Sequence, residues 1–110
     1  MLDDDSIAVV ARALAHPARV RIVRLLATQA NCRGADVFSE LPLAQSTISE
    51  HLRVLKEAGL VSSHAEGTSM VYCLNPDAVR SIAESLDTLV KNAPVCATDT
   101  AGRPQPLEER

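Results

Sequence analysis

The chain has 110 residues and a formal net charge of −3, enough sequence for one domain with a single modest core. Phe38 and Tyr72 are its only aromatic residues, so Leu, Val, Ile and Ala must build the core, which favours a small helical domain. No apolar run is long enough to span a membrane, and the first residues, MLDDDS, are acidic, unlike a signal peptide, so we expect a cytoplasmic protein. The negative charge argues against non-specific binding to nucleic acid, although the acid-only clusters lie at the two ends and the middle is about neutral.

Capping residues and apolar spacing predict five helices and a β-hairpin. Asp5 or Ser6 can cap the first helix, and Pro17 suits the first position of the second. Gly59 ends the fourth helix, and Pro94 ends the last. The predicted helices cover residues 6–15, 17–28, 34–41, the segment from the turn at 41–43 to residue 58, and 77–92, with strands at 60–65 and 68–74.

The predicted hairpin turns at Glu66-Gly67, directly after the fourth helix. In its second strand, alternation predicts one core face, with Met70, Tyr72 and Leu74, and leaves Val71 and Cys73 on the other. Two short helices at a tight turn followed by a hairpin indicate a winged helix-turn-helix, a mainly α fold with a small β wing. We expect one domain over residues 1–93 and a flexible C-terminal tail, residues 94–110, that carries Cys96.

Residues 43–60, LAQSTISEHLRVLKEAGL, have the pattern of a helix that reads the major groove of DNA. Ile48, Leu52 and Leu55 form an apolar back, and small hydroxyl and amide side chains occupy the front, where they can pair with base edges. Arg53 and Lys56 are expected to reach phosphates, and the wing could touch a neighbouring groove or the backbone. The predicted DNA-binding residues are Gln45, Ser46, Thr47, Ser49, His51, Arg53, Lys56, His64, Gly67 and Ser69.

That front could also be an ordinary solvated helix face. The turn at Pro42, the apolar back and the hairpin that follows together favour the DNA interpretation. A protein-interaction module of the same fold is another alternative, supported mildly by Glu50, Glu57 and the acidic net charge. We do not expect an enzyme, because the sequence has no Gly-rich phosphate loop, no Ser/His/Asp set and no paired carboxylates with a credible pocket.

Narrow apolar stripes on the first and last helices have the three–four spacing that intersubunit helix packing requires. They predict a homodimer, although both stripes could instead pack within the chain's own core. The predicted interface residues are Ile7, Val10 and Leu14 on the first helix and Val79, Ile82, Leu86 and Leu89 on the last.

Three segments carry a family resemblance: ARVRIVRLL at 18–26, LAQSTISEHLRVLKEAGLV at 43–61 and EGTSMVYCLNP at 66–76. They resemble the ArsR/SmtB family of bacterial metal- and metalloid-responsive repressors, over roughly residues 7–92. The resemblance implies a homodimer that binds a palindromic operator near its own promoter and leaves it when an effector binds.

The sequence departs from the family at the known sensing positions. The CxCxxC cluster of many metalloid sensors falls here on Arg33, Ala35 and Phe38, and Cys32 lies one residue outside it. The zinc site that other members build from Asp and His on the last helix is not expected, because this helix has no histidine. The redox-sensing relatives carry a cysteine near Arg24, which is also missing.

Three cysteines remain as candidates for sensing: Cys32, Cys73 and Cys96. Thiolates select thiophilic ions, and As(III) or Sb(III) prefers three sulfur ligands, which matches the number of cysteines. We predict a site built from Cys32 and Cys96, between subunits, to which Cys73 is either a third ligand or an incidental exposed thiol. One alternative is a redox switch that forms a reversible disulfide or persulfide at Cys32 and Cys96. Another is that the cysteines are only small packed residues. A structural disulfide framework is not expected.

Overall fold

The computed structural model describes residues 2–28 and 39–95 of the chain. The order of elements within these ranges is α1 (Asp4–Ala13), α2 (Pro17–Ala27), α3 (Gln45–Glu57), β1 (Val61–Glu66), β2 (Ser69–Leu74) and α4 (Pro76–Asn92). The mainly helical fold with a β-hairpin is confirmed, and α3 is the fourth helix of the prediction. The short helix predicted at 34–41 and the tail after residue 95 lie wholly or mostly outside the described residues.

Each of the first two helices starts at a residue whose side chain accepts a backbone hydrogen bond. Asp3 caps α1, its carboxylate accepting from the Ser6 N–H at 2.8 Å, so the predicted cap at Asp5 or Ser6 is wrong by two or three residues. The reason is that consecutive aspartates offer equivalent caps, and Asp4 and Asp5 serve instead in the first turn, at the positive end of the helix dipole. His16 caps α2, with Pro17 in the first helical position as predicted.

Gly59 ends α3 with a Schellman motif. The Gly59 N–H donates to the Lys56 carbonyl and the Leu60 N–H donates to the Leu55 carbonyl, both at 3.0 Å. Gly59 has a φ of 84°, in the left-handed region that a side chain disfavours, although a Cβ would meet no atom within 4 Å. The chain therefore reverses sharply and enters β1 at the second residue after the glycine.

The hairpin is a regular antiparallel pair in which Val61 faces Leu74 and Glu66 faces Ser69. Gly67 lies in the two-residue turn between the strands and has a φ of 63°, so it supplies the left-handed backbone that tight hairpin turns need. The predicted tip at Glu66-Gly67 is thereby confirmed to within one residue.

The core lies where α2, α3 and the start of the hairpin meet. The largest fully buried side chains are Ile22 of α2, three residues of α3 and the residue that leads into β1; the last four are Ile48, Leu52, Leu55 and Leu60. Burying such a side chain contributes roughly 1.5 to 3 kcal/mol, so this cluster holds the back of α3 firmly against the body of the domain. Within the described ranges, no helix is long and apolar enough to cross a membrane.

The inward-facing strand residues differ in part from the prediction. Tyr72 and Leu74 pack against the core as expected, but Met70 is 45% exposed whereas Val71 is only 7% exposed. Met70 pairs with Ala65 near the tip of the hairpin, where the sheet extends beyond the packed body. Alternation alone could not show where along the strand the core ends.

Asn75 connects the end of the hairpin, the end of α3 and the start of α4. Its side-chain oxygen caps α4 by accepting from the Asp77 N–H, and its side-chain nitrogen donates to the Gly59 carbonyl at 3.0 Å. Its backbone N–H donates to the Leu60 carbonyl at 2.8 Å. The position at which α4 leaves the domain is thus tied to the C-terminal turn of α3.

Candidate nucleic-acid interface

The front of α3 is exposed and rich in hydrogen-bonding groups, as predicted. Gln45, Ser46, Thr47 and Ser49 are all exposed in the first turns of the helix. The N-cap residue is Ala44, which has no side-chain acceptor to offer to the N–H groups of the first turn. An exposed helix start with uncapped N–H groups and short polar side chains can approach both phosphates and base edges.

His51 does not belong to this exposed front, and its predicted role as a DNA-facing residue is wrong. Its side chain is 8% exposed and lies on the same side of α3 as Ile48 and Leu52. The ring packs against that of His16, with 4.5 Å between the ring centroids. Burial lowers the pKa of His51, and the neighbouring His16 and Arg19 lower it further.

Arg19 joins His51 to the end of α1. One terminal nitrogen of its guanidinium, Nη1, lies 3.4 Å from His51 Nδ1. Its Nε donates to the Ala13 carbonyl at 2.7 Å, and its other terminal nitrogen, Nη2, donates to the Arg12 carbonyl. Because a guanidinium only donates, His51 Nδ1 must accept, which leaves the imidazole proton on Nε2.

Arg53 and Lys56, the predicted phosphate contacts, are both exposed, but they differ in their partners. Arg53 pairs with Glu50 and Glu57 on its own helix, and these hydrogen bonds raise the pKa of its guanidinium. Within the described residues, no ion pair involves Lys56. Among the described residues Lys56 thus has no carboxylate partner, whereas Arg53 would have to exchange a carboxylate for a phosphate.

The wing residues lie at the far end of the hairpin, as predicted. His64, Gly67 and Ser69 are exposed, and the His64 ring lies 3.4 Å from a Glu66 carboxylate oxygen. A groove of about 170 Å³ separates the wing from α3, and its walls include Ser49 and Lys56 of α3 and, from the hairpin, Ser63, Met70 and Tyr72. The groove thus joins the wing to the front of α3 through a surface with both polar and apolar side chains.

The structure separates the predicted dimer residues into two groups. Val10 is part of the chain's own core, and three further residues pack against that core, namely Leu14, Val79 and Ile82. Leu86 and Leu89 of α4 are 48% and 63% exposed, and Ile7 of α1 is half-buried. An isolated chain therefore presents an apolar strip along the second half of α4.

Of the three predicted sensing residues, the structure describes only Cys73, which is half-buried on β2; Cys32 and Cys96 lie outside the described residues. Cys73 is disulfide-bonded, whereas the sequence prediction made it a thiolate ligand and assigned the alternative reversible disulfide to Cys32 and Cys96. The sequence could not show this, because the pairing of cysteines depends on distances in the folded chain. Within the described ranges, no group of three or more His, Cys, Asp or Glu side chains is placed to hold a metal ion.

The sequence did not predict the side-chain contacts of two residues at this surface. Glu50 lies on the exposed front of α3 and binds Arg53 through both carboxylate oxygens, and Arg19 links α1 to α3. The spacing of Glu50, Arg53 and Glu57, three and four residues apart, is the signal that predicts ion pairs on one helix face. Nothing in the local sequence indicates that Arg19 reaches His51, which is 32 residues away.

Comparison with known proteins identifies the same kind of domain. Residues 16–63 match the family model described as "Bacterial regulatory protein, arsR family". The chain is 37% identical over 78 residues to an uncharacterised HTH-type transcriptional regulator of Methanocaldococcus jannaschii, covering 71% of this chain and 88% of that protein. It is 34% identical over 80 residues to a biofilm growth-associated repressor of Agrobacterium fabrum, covering 73% of this chain and 68% of the repressor.

Solved structures agree with these relatives. The homodimeric winged helix-turn-helix DNA-binding domain of a possible ArsR-family regulator from Mycobacterium bovis has a TM-score of 0.63 and 31% identity, covering 79% of this chain and 81% of that one. A possible transcriptional regulator for arsenical resistance has a TM-score of 0.58 and 35% identity, covering 76% of this chain and 94% of that one.

Proposed function

Because this chain belongs to the ArsR family of bacterial transcriptional regulators, which bind DNA through a winged helix-turn-helix, we propose that it represses transcription as a homodimer on a palindromic operator. The family and the relatives are regulators rather than enzymes, in agreement with the sequence prediction that this chain is not an enzyme. The observation that carries the proposal is the exposed polar front of α3 above a fully buried apolar back.

The front of α3 supports readout of base edges by its first two turns. Gln45 can form two hydrogen bonds with adenine, and the hydroxyls of Ser46, Thr47 and Ser49 can donate or accept. The buried back of α3 and the Schellman motif at its end fix the orientation of the helix, so these side chains approach the groove from a rigid support.

A homodimer is supported by the exposed part of the apolar strip on α4. Leu86, Leu89 and Val90 present apolar surface that a second copy would bury. The chain carries a net charge of −3, so one copy has little electrostatic attraction to DNA. Two joined copies that bind two half-sites at once would bind more tightly than one copy without any added positive charge. The similar domain from Mycobacterium bovis is described as homodimeric.

For the effector, we propose arsenite or antimonite bound by cysteine thiolates. The donor chemistry supports this, because As(III) and Sb(III) prefer sulfur and the chain has three cysteines. One similar structure is described as a possible regulator for arsenical resistance. Cys32 and Cys96 are the proposed ligands.

A thiol-redox signal is the second candidate, and the disulfide at Cys73 specifically favours it. A half-cystine has no thiolate to offer, so in this oxidised form Cys73 could not bind As(III). Reduction of the disulfide by a cellular dithiol or monothiol would release the strand thiol and oxidise the reductant to its own disulfide. The pair proposed from sequence, Cys32 and Cys96, would then be replaced by a pair that includes Cys73.

DNA binding is tested by a mobility shift with the DNA upstream of the chain's own gene. We expect the wild type to bind and the double variant Ser46→Ala/Ser49→Ala to bind at least about 30-fold more weakly, since each of the two lost base contacts costs about 1 kcal/mol or more. Thr88→Ala on α4 is the matched control and should bind like the wild type. Equal binding by wild type and double variant, with unchanged circular dichroism, would contradict groove readout by these serines.

The effector is tested by titrating the bound complex with As(III), Sb(III), peroxide and a persulfide donor. We expect As(III) to release the reduced wild type and to have less effect on Cys32→Ser and Cys96→Ser. Release by oxidants alone, abolished in Cys73→Ser, would replace the metalloid by the redox signal. An identical response from all three cysteine variants would exclude both.

A further inference from the structure

The outward face of α3 contains a carboxylate at its centre. Ile48, Leu52 and Leu55 define the buried side, and at 100° per residue the opposite side runs through Ser46, Glu50 and Arg53. The side chains of Glu50 and Arg53 are 58% and 52% exposed. Any groove that accepts the polar front of α3 therefore also receives Glu50.

Arg53 fixes the position of the Glu50 carboxylate. The guanidinium donates from Nε to Glu50 Oε1 at 3.0 Å and from Nη2 to Oε2, a two-pronged contact. Its remaining terminal nitrogen, Nη1, donates to Glu57 at 2.6 Å, so the guanidinium lies between two carboxylates. The hydrogen bonds from Arg53 also lower the pKa of Glu50, which keeps the carboxylate ionised.

An ionised carboxylate in the major groove is selective, because it accepts hydrogen bonds and cannot donate them. It is repelled by phosphates and by the N7 and O6 acceptors of guanine, and it pairs with the exocyclic amino group of cytosine. Adenine offers an amino group as well, but the adjacent N7 acceptor suits an amide, which donates and accepts, better than a carboxylate. The pairing with Arg53 offsets part of the repulsion between Glu50 and the DNA backbone.

We propose that Glu50 reads a cytosine in each operator half-site and that Arg53 is the positioning residue that aligns its carboxylate. This rests on the proposed function of the chain as a DNA-binding protein. It gives Arg53 a role different from a phosphate contact, and it explains why the centre of the reading face carries more acidic than basic side chains.

Selection from a pool of randomised DNA duplexes tests the inference with the full chain. The wild type should select a C·G pair at one position of each half-site, with a preference of about 5- to 150-fold over other pairs. Glu50→Gln should change the preference at that position alone towards A·T, because an amide matches the N6 and N7 edge of adenine. Arg53→Lys keeps the charge but loses the fork, so it should weaken the cytosine preference while the rest of the site is read as before.

Glu57→Gln is the matched control, since it removes the same charge and the other carboxylate bound to Arg53. It should raise affinity modestly for all duplexes and leave the base preference unchanged. A base profile of Glu50→Gln identical to that of the wild type would overturn the inference, as would a wild-type preference for any pair other than C·G at the Glu50-dependent position. If the wild type selects no duplex at all, the proposed function fails together with the inference.

Discussion

At the residue scale, His51 is a polar side chain of α3 that packs inside the domain instead of facing solvent. It accepts from Arg19, touches His16 and lies beside the Ile48–Leu52 face of α3. His16 in turn uses its Nδ1 to accept the Ala18 N–H at the start of α2. Both rings therefore accept through Nδ1, and a proton added to His51 Nδ1 would remove its hydrogen bond from Arg19.

The free energy of unfolding should fall as the pH is lowered below about 6.5, the ordinary pKa of histidine. The folded state lowers the pKa of His51, so the unfolded chain binds the proton first as the pH falls, and acid favours unfolding. Well above pH 7 the ring is neutral in both the folded and the unfolded state, so His51 no longer makes the free energy of unfolding depend on pH. Urea unfolding between about pH 5 and about pH 8 measures the effect.

His51→Asn tests the assignment, because its side-chain oxygen can still accept from Arg19 but does not titrate. This variant should lose part of the pH dependence below about 6.5, whereas Thr88→Ala, which changes no titratable group, should retain all of it. Equal pH dependence in both variants would show that His51 is not the group responsible.

At the scale of elements, the sequence predicted the helix start at Pro17, the stop at Gly59 and the hairpin tip, because each depends on one residue with a strong backbone preference. The sequence-based prediction was wrong where neighbouring residues were equivalent, as among the N-terminal aspartates, or where contacts between distant residues determined which side chains are buried. Helical spacing alone places His51 beside Ile48 and Leu52, so greater weight on spacing and less on polarity would have found its burial.

The Schellman motif that ends α3 predicts a specific response to substitution. Gly59→Ala should lower the free energy of unfolding by about 1 kcal/mol, because alanine is strained at positive φ even though its Cβ would meet no neighbour. Gly59→Asn should lower it less, since asparagine tolerates the left-handed region. Urea unfolding at neutral pH compares the two, and an alanine variant as stable as the wild type would contradict the motif's contribution.

At the scale of the whole molecule, the apolar strip on α4 was predicted from spacing, but its division between core and exposed surface was not. Val79 and Ile82 pack against the core, while Leu86, Leu89 and Val90 lie farther along the helix, beyond the body of the domain. Periodicity assigns a face to a helix, but the size of the body it packs against decides how much of that face remains exposed.

Leu89→Lys should therefore dissociate the proposed homodimer without unfolding the chain. Leu89 is 63% exposed in the single chain, so the substitution disturbs little of the internal packing but would bury a charge at a helix–helix contact. Sedimentation velocity should show a smaller species, with a helical circular dichroism spectrum retained. Glu84→Lys, on the opposite side of α4, should leave the wild-type species intact, and a Leu89→Lys variant of unchanged mass would place the dimer contact elsewhere.

Three of the hydrogen bonds of Asn75 connect α4 directly to the end of α3. Since the same residue caps α4 and hydrogen-bonds to Gly59 and Leu60, we expect a change in the tilt of α4 to move the end of α3 as well. In a homodimer joined through α4, a small tilt of α4 in each subunit would produce a larger change in the distance between the two α3 helices. Successive major grooves on one side of DNA are about 34 Å apart. The proposed homodimer could therefore occupy both half-sites only when its two α3 helices have this separation.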